Sequence, residues 1–581
     1  MRFRWPEGTL FRQRVLDVEQ ESCARCGGPL HVCAHRRHRI YTLQGPLELC
    51  CRLARCADPT CPSRPGTLSP AAELSLTLPG WLIGWDVFCF IGHRRFARHW
   101  SVGHLRDELS DSYQIRLSDD AISVYIHRYQ TMVAARQHDP ALLRLAYRNI
   151  DALWLSIDGL QPEKGHETLY AVRELNAQRI WFAEALLSSN TNEVRRLLLR
   201  ARAFAQDLGK AVRMWVSDKQ DAFVKGIALE FPGVPHRYCA NHFLRDLAKP
   251  TLELDSHAKV QMRHKVRGLR AIERQVLPTR RQANAEAQQG QGVAAVATAT
   301  GDSAANGPRA FAAEATQTAA PMSRGRGAAP AALPAVADQP SGVVLDYCAA
   351  VRGILNDDQG GPLHPPGLRM AEALGEVRAS LARNLALHKA GAAHGQLERL
   401  AGYIDEGLVA VRPRQEQVQE QLKEIREVAA TLEKGAGTLR QRRRRYQRLQ
   451  RAYRGEGGEF YTYLARVMRS WGAGLFVGVR GKQGQEPPGD NLELERWFRT
   501  PKRHERRMHG RRHAGVRIVQ EGPTLLLVLN AHEAHPQPFT AQDLLPYRHA
   551  PEPPDQLQAL QRRKVMRKAR SPKNDNISCQ S

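Results

Sequence analysis

"LWLSIDGLQP", residues 153–162, is the stretch whose reading decides the fold. It runs apolar and strand-like, then meets a carboxylate, Asp158, with a glycine behind it. An ionised aspartate at the end of a buried strand is costly unless something neutralises it. "VRMWVSDKQD", residues 212–221, repeats the design and stops at Asp218.

The sequence around these two stretches parses as strand "ALWLSID", strand "TLYAVREL", strand "RIWFAEALL", helix "TNEVRRLLLRARAFAQDLG", strand "AVRMWVSD", helix "DAFVKGIALEF" and strand "HRYC". Three strands, a helix, then a fourth strand is the order of an RNase H-like α/β sheet, in which the first and fourth strands are parallel neighbours. Asp158 and Asp218 would then converge at one sheet edge. Two adjacent carboxylates repel unless divalent cations lie between them. Mg²⁺ accepts a few hard oxygens plus water and phosphate. Two such ions about 4 Å apart activate a water or a 3′-hydroxyl and stabilise the leaving oxygen of a phosphodiester.

The third ligand is expected from "DNLELERWFRTPKRHERRMHGRR", residues 490–512. On one helix, Asn491, Glu495, Arg499 and Lys502 fall along one side. Glu495 would complete the site, with Arg499, Lys502 and Arg503 along a DNA backbone. Glu493 is two residues off that side and is the weaker candidate.

The remaining chain supplies context. At 581 residues it is too long for one core. Its 85 Lys+Arg against 59 Asp+Glu leave a net charge of +26, which points to nucleic acid as partner. The start, "MRFRWPEGTLFRQRV", lacks the apolar core of a signal peptide, and no apolar run of about 18 residues suggests a membrane span. A cytoplasmic protein is expected, and its 11 cysteines then argue for metal or burial rather than disulfides.

"CARC" at 23–26 and "CADPTC" at 56–61 read as two knuckles of a four-cysteine zinc ribbon over residues 1–70, with Cys23, Cys26, Cys56 and Cys61 as ligands of a structural Zn²⁺. Cys51 can replace Cys56 in that shell, and His31, His35 or His38 can replace a thiolate. Arg36, Arg37, Arg39, Arg52 and Arg55 would be left to meet phosphate. Residues 71–140 read as a helix-turn-helix-like DNA-binding segment, with Ser118 as N-cap and Ile122, Tyr125 and Tyr129 on one helix face. The catalytic core would start over 148–280. An Ala/Gly-rich stretch over 281–342 reads as a disordered linker.

A helical insertion is expected over 343–480. It carries a short coiled-coil-like seam, Val418, Leu422, Ile425, Ala429 and Leu432, compatible with a hairpin or a dimer. Its arginine run, Arg442, Arg443, Arg444 and Arg445, encircles a helix and is expected to bind phosphate. The core is completed over 485–548, and 549–581 is a basic tail.

Four motifs, "LSIDGLQP", "WVSDKQ", the CxxH of "YCANHF" (Cys239, His242) and "NLELERWFRTPKR", resemble those of the DDE transposases of bacterial insertion sequences. The last is similar to the "NNxxERxFRxxKR" helix of that group, and the CxxH to that of Mutator-like and related enzymes. The resemblance covers roughly residues 20–250 and 485–515. It implies a transposase that binds element ends as a homo-oligomer and uses Asp158, Asp218 and Glu495 with two Mg²⁺ or Mn²⁺ for strand cleavage and transfer. It makes Cys239 and His242 a family mark and the helical stretch an insertion before the glutamate helix. The competing readings are a nuclease of the same fold and a zinc/helix DNA-binding regulator without catalysis.

Overall fold

The computed structural model describes residues 5–160, 167–186, 188–277, 340–387, 391–478, 488–510 and 515–551. The chain is a mixed α/β protein in two compact units. One comprises Met1–Phe243, Thr438–Arg443 and Arg469–Ser581, the other Leu244–Gly437 and Arg444–Met468.

The first unit opens on strands β1 (Arg12–Leu16), β2 (Leu30–Thr42) and β3 (Gly45–Cys56). β3 is central, antiparallel to β2 and parallel to β1. Gly45, at φ +110°, lets the β2–β3 hairpin turn tightly, a conformation only glycine adopts without strain. Five helices follow: α1 (Ala72–Leu76), α2 (Trp85–Phe96), α3 (Val102–Tyr113), α4 (Asp119–Gln137) and α5 (Pro140–Ala146). Ser118 caps α4 by accepting from Ala121 N, as its position before the apolar run predicts. Ile122, Tyr125 and Tyr129 are buried on one face, in a core shared with α2. That face serves packing: the ring of Tyr129 lies against Gly92, and its hydroxyl meets His532 Nε2 at 2.9 Å.

The main sheet holds β4 (Ala152–Leu160), β5 (Thr168–Glu174), β6 (Arg179–Leu186), β7 (Ala211–Ser217) and β8 (His236–Tyr238), in the order β6-β5-β4-β7-β8. β4, β5 and β6 form an antiparallel meander, and β7 and β8 run parallel to β4. Helices α6 (Thr191–Asp207) and α7 (Asp221–Glu230) cover one face through Leu153, Leu155, Ile157, Val172 and Trp215. Alternation along a strand turns the neighbouring residues to the opposite face.

Helix α8 (Ala240–Leu247) leads out of the sheet. The second unit is helical: α9 (Lys249–Lys265), α10 (Pro340–Asn356), α11 (Pro366–Leu387), α12 (Ala392–Ala430), most of α13 (Leu439–Gly455) and the start of α14 (Glu459–Leu475). It begins at Leu244, so the catalytic-core boundary expected at 280 lies too far along the chain, and α9 belongs to the helical body. Val418 and Leu422 of the seam pack with Leu254 and Leu368 of this unit. Asp255 caps α11 from across the unit, accepting from Gly367 N at 2.6 Å and Leu368 N at 2.7 Å. The expected linker falls outside the described residues up to 339, as does the basic tail from 552 onward.

The chain returns to the first unit with α15 (Leu492–Trp497), α16 (Arg499–His509), α17 (Gly515–Ala534) and α18 (Ala541–Leu544). Leu525, Leu526 and Val528 of α17 join Leu169, Ala171, Ile180 and Ala183 in the core on the face away from α6 and α7. The single continuous glutamate helix of the sequence reading is divided at Phe498. Pro501 explains the break, because it has no N–H to donate to the carbonyl of Trp497.

Candidate active site and metal centres

Trp154 pairs with Met214, Leu155 with Trp215 and Ser156 with Val216. The pairing ends there; continued by two residues, this parallel register would set Asp158 beside Asp218. Both lie on the face opposite Ile157 and Trp215, by the period of two. Asp158 is 8% exposed, and its Oδ1 accepts from Gly159 N at 2.8 Å. Asp218 Oδ1 accepts from Gln220 N at 3.0 Å, fixing the turn into α7.

The neighbouring strand ends in the CxxH turn. Cys239 N donates to Ser217 O at 2.7 Å, one residue before Asp218. Three parallel strands thus present Asp158, Asp218 and Cys239 at their carboxyl ends, the edge where open α/β sheets hold ligands. Segment 489–495 closes over this edge. Gly489 O accepts from Ala240 N at 3.0 Å, Asn491 N donates to Cys239 Sγ at 3.2 Å, and Asn491 Nδ2 donates to Ile157 O at 3.3 Å. Asn491 is buried, and its Oδ1 has no hydrogen-bond partner among the described residues.

Glu495 is carried to the same region but in different immediate company. Its Oε2 accepts from Asn241 Nδ2 at 2.8 Å, and its Oε1 lies 3.4 Å from His242 Nδ1. Among the described residues, the donor atoms of Cys239, His242 and Glu495 lie within 4.8 Å of one another; Asp158, Asp218 and Glu495 do not form such a group. Burial pushes the Cys239 thiol up to about 12. Asn241 is the residue sequence reasoning passed over; it lies inside the CxxH motif and was readable there as a polar residue between two metal-ligand types.

The second donor group is at the end of the three-stranded sheet. Cys23, Cys26, Cys56 and Cys61 bring their sulfurs within 4.8 Å of one another. Cys23 and Cys61 are 3.8 Å apart, Cys26 and Cys56 3.5 Å. A tetrahedral Zn²⁺ with bonds of about 2.3 Å sets its sulfurs about 3.8 Å apart, so these four fit a structural metal such as zinc. Backbone amides of Arg25 and Cys26 pull the Cys23 thiol down to about 6, while burial pushes Cys56 up to about 12. The alternatives are otherwise occupied. Cys51 is buried with Leu16, Ile40 and Leu49, and His38 bonds Glu73 and Trp81 O. His31 and His35 lie outside the group.

The expected cationic residues divide. Arg499, Lys502 and Arg503 are exposed on α16, together with Arg506 and Arg507, while His504, Glu505 and Met508 face inward. Partial desolvation, then Arg506 and Arg499, lower the pKa of Lys502. Arg443, Arg444 and Arg445 are exposed on α13, but Arg442 is fully buried, which corrects the expectation of four arginines facing phosphate. A helix has only one side to turn inward, and Arg442 lies on that side of α13. Three of the five ribbon arginines are also engaged: Arg36 pairs with Glu73, Arg39 with Glu48 and Arg52 with Asp17. A cleft of about 940 Å³ beside β1 and α2 has Arg12, Arg14, Arg94 and Arg98 on its walls.

The sequence matches no known protein family and no curated protein. No helix among the described residues is long and apolar enough to cross a membrane.

Proposed function

We propose that the chain is a DNA transposase of the DDE type, built on an RNase H-like core, that cleaves and joins DNA strands at element ends. The observation carrying this reading is the register of β4 against β7. Extended two residues past its last pair, Ser156 with Val216, it would bring Asp158 beside Asp218, in a sheet whose order in chain terms is 3-2-1-4-5. Such a pair is unfavourable without a cation and useful with one. Mg²⁺ or Mn²⁺ would suit the hard oxygens proposed for it, two carboxylates and the Oδ1 of Asn491, a residue anchored to Ile157. Bound there, the ions would supply an activated water or 3′-hydroxyl and charge stabilisation.

Asp158 and Asp218 would hold the metals, and Glu495 is the third carboxylate of the reading. Asn491 fastens its segment to β4. The exposed cations Arg499, Lys502, Arg503 and Arg443–Arg445 would follow the phosphate backbone, in keeping with a net charge of +26. The cysteine module, with its structural zinc, would serve end recognition. Two ends must be cut together, so the working form would be a homo-oligomer on DNA.

The test is nicking of DNA carrying the sequences that flank the gene, with and without Mg²⁺, by the wild type and by Asp218→Ala. Nicking by the wild type alone, only with Mg²⁺, supports the reading; equal nicking by both proteins overturns the site. A joined product from a pre-cleaved end separates a transposase from a nuclease of the same fold.

A further inference from the structure

The turn after β8 and the helix α15 meet where Glu495, the third carboxylate of the proposed reaction, lies beside a thiol and an imidazole that phosphoryl transfer does not require. We infer that Cys239 Sγ, His242 Nδ1 and Glu495 Oε1 form a second divalent-metal site suited to Zn²⁺, with its fourth position open. It is separate from the four-cysteine centre and does not depend on the transposase reading.

One pair of donors already has the spacing, and the third lies close by. Zinc ligands at about 2.0–2.3 Å lie about 3.3–3.8 Å from one another in a tetrahedral shell. His242 Nδ1 and Glu495 Oε1 are 3.4 Å apart, and Cys239 completes a group within 4.8 Å. His242 Nδ1 is buried and has no hydrogen-bond partner among the described residues, although it faces a carboxylate. Buried polar atoms are rarely left so, and an ion between the two groups resolves it.

Supporting hydrogen bonds are in place around this triad. Asn241 Nδ2 holds Glu495 Oε2 at 2.8 Å and so turns Oε1 toward the imidazole, while the Asn491 amide donates to Cys239 Sγ at 3.2 Å. Outer partners of this kind orient metal ligands and are part of a working site. The donor chemistry selects the ion: a thiolate and an imidazole beside one carboxylate favour zinc over Mg²⁺ or Ca²⁺, which take oxygen. Three protein ligands with Cys239 fully buried and His242 and Glu495 partly exposed leave one side open to water. The metal would pin the turn after β8 to α15, two segments that the helical body separates in sequence.

The experiment counts zinc in the full-length chain after dialysis against metal-free buffer. Two zinc ions per chain are expected for the wild type and for Asp158→Ala. One is expected for Cys239→Ser, for His242→Ala and for the double variant Cys23→Ser, Cys26→Ser. Variants are compared only where far-UV circular dichroism matches the wild type. Cobalt loading of the wild type gives a second readout that needs no variant: two Co²⁺ equivalents with tetrahedral d–d bands are expected. A single zinc or cobalt equivalent in the wild type, or two retained by Cys239→Ser, overturns the inference. Because Asp158→Ala leaves this site whole, its loss of nicking with both zincs retained would bear on the phosphodiester chemistry alone.

Discussion

Asn241 donates a hydrogen bond of 2.8 Å to Glu495 across 254 positions of sequence. The contact is part-buried and charge-assisted, the class worth about 1.5–3 kcal/mol when one partner is ionised. Asn241→Asp should replace it with two opposed carboxylates. We expect a lower melting temperature, with a larger drop at pH 8 than at pH 4, where one carboxyl takes a proton. Thermal melts at the two pH values check this; an equal drop would mean the contact is not made.

The aligned aspartates should be a liability in metal-free protein. Asp218→Asn is expected to melt no lower than the wild type in EDTA. Mg²⁺ should raise the melting temperature of the wild type and leave that of the variant unchanged, because only the native carboxylate pair binds the ion. Calorimetry of both proteins with and without Mg²⁺ reads the difference.

Cys61 belongs to the second cysteine knuckle. Its sulfur is 3.8 Å from Cys23, and little apolar core lies beneath this end of the sheet. Metal binding there is folding energy. Cys61→Ser should cost one zinc per chain and open residues around 20–68 to protease, while the main sheet stays protected. Limited proteolysis with mass spectrometry maps the cuts.

Gly92 in α2 lies under the ring of Tyr129. A Cβ there would come within 2.3 Å of ring carbons, and the ring is held by Phe88, Phe96 and His532. Overpacking of this kind costs about 1–3 kcal/mol. Gly92→Ala is expected to lower the free energy of unfolding by that amount, whereas Gly103→Ala, which meets nothing within 4 Å among the described residues, should not. Urea titration compares them.

Glu505 is fully buried on the inner face of α16. Burial, then the charge of Glu521, raises its pKa to about 7, against the pull of Arg517 and Arg95. The folded state therefore keeps a proton that the unfolded chain gives up near its ordinary value of 4.5. Native protein binds more protons between those values, so stability is highest below pH 4.5 as far as this group is concerned and falls as pH rises to about 7. The loss amounts to roughly 3 kcal/mol at about 1.4 kcal/mol per unit. Glu505→Gln should flatten that decline. Urea midpoints from pH 5 to 8 for both proteins measure it.

The strand pattern was open to reading because its signal is local. Each β-run of 150–250 alternates or stays apolar for the length of one strand; the break at Asp218 marks a strand end, while β4 runs two residues past Asp158, where the sequence alone would end it. The cysteine pairs were legible for the same reason, since each knuckle is one tight turn. What escaped depends on contacts between distant segments. No periodicity around Arg442 tells which side of a basic helix enters the interior. None around Leu244 says that α9 leaves the sheet for the helical body. The pairing of Cys239 and His242 with Glu495 bridges the whole insertion, and only the fold brings these residues within one coordination distance.

The bond from Asn491 to Cys239 spans 252 positions, and that interval is also a delay during synthesis. At about 5–20 residues per second, the ribosome takes roughly 13–50 s to travel it. Through that time the nascent chain carries both aspartates, the Cys239 thiol and the Ile157 carbonyl without their cover. This edge of the sheet thus stays uncovered until residues past 491 emerge, and a chain cut short inside the helical body would leave it open.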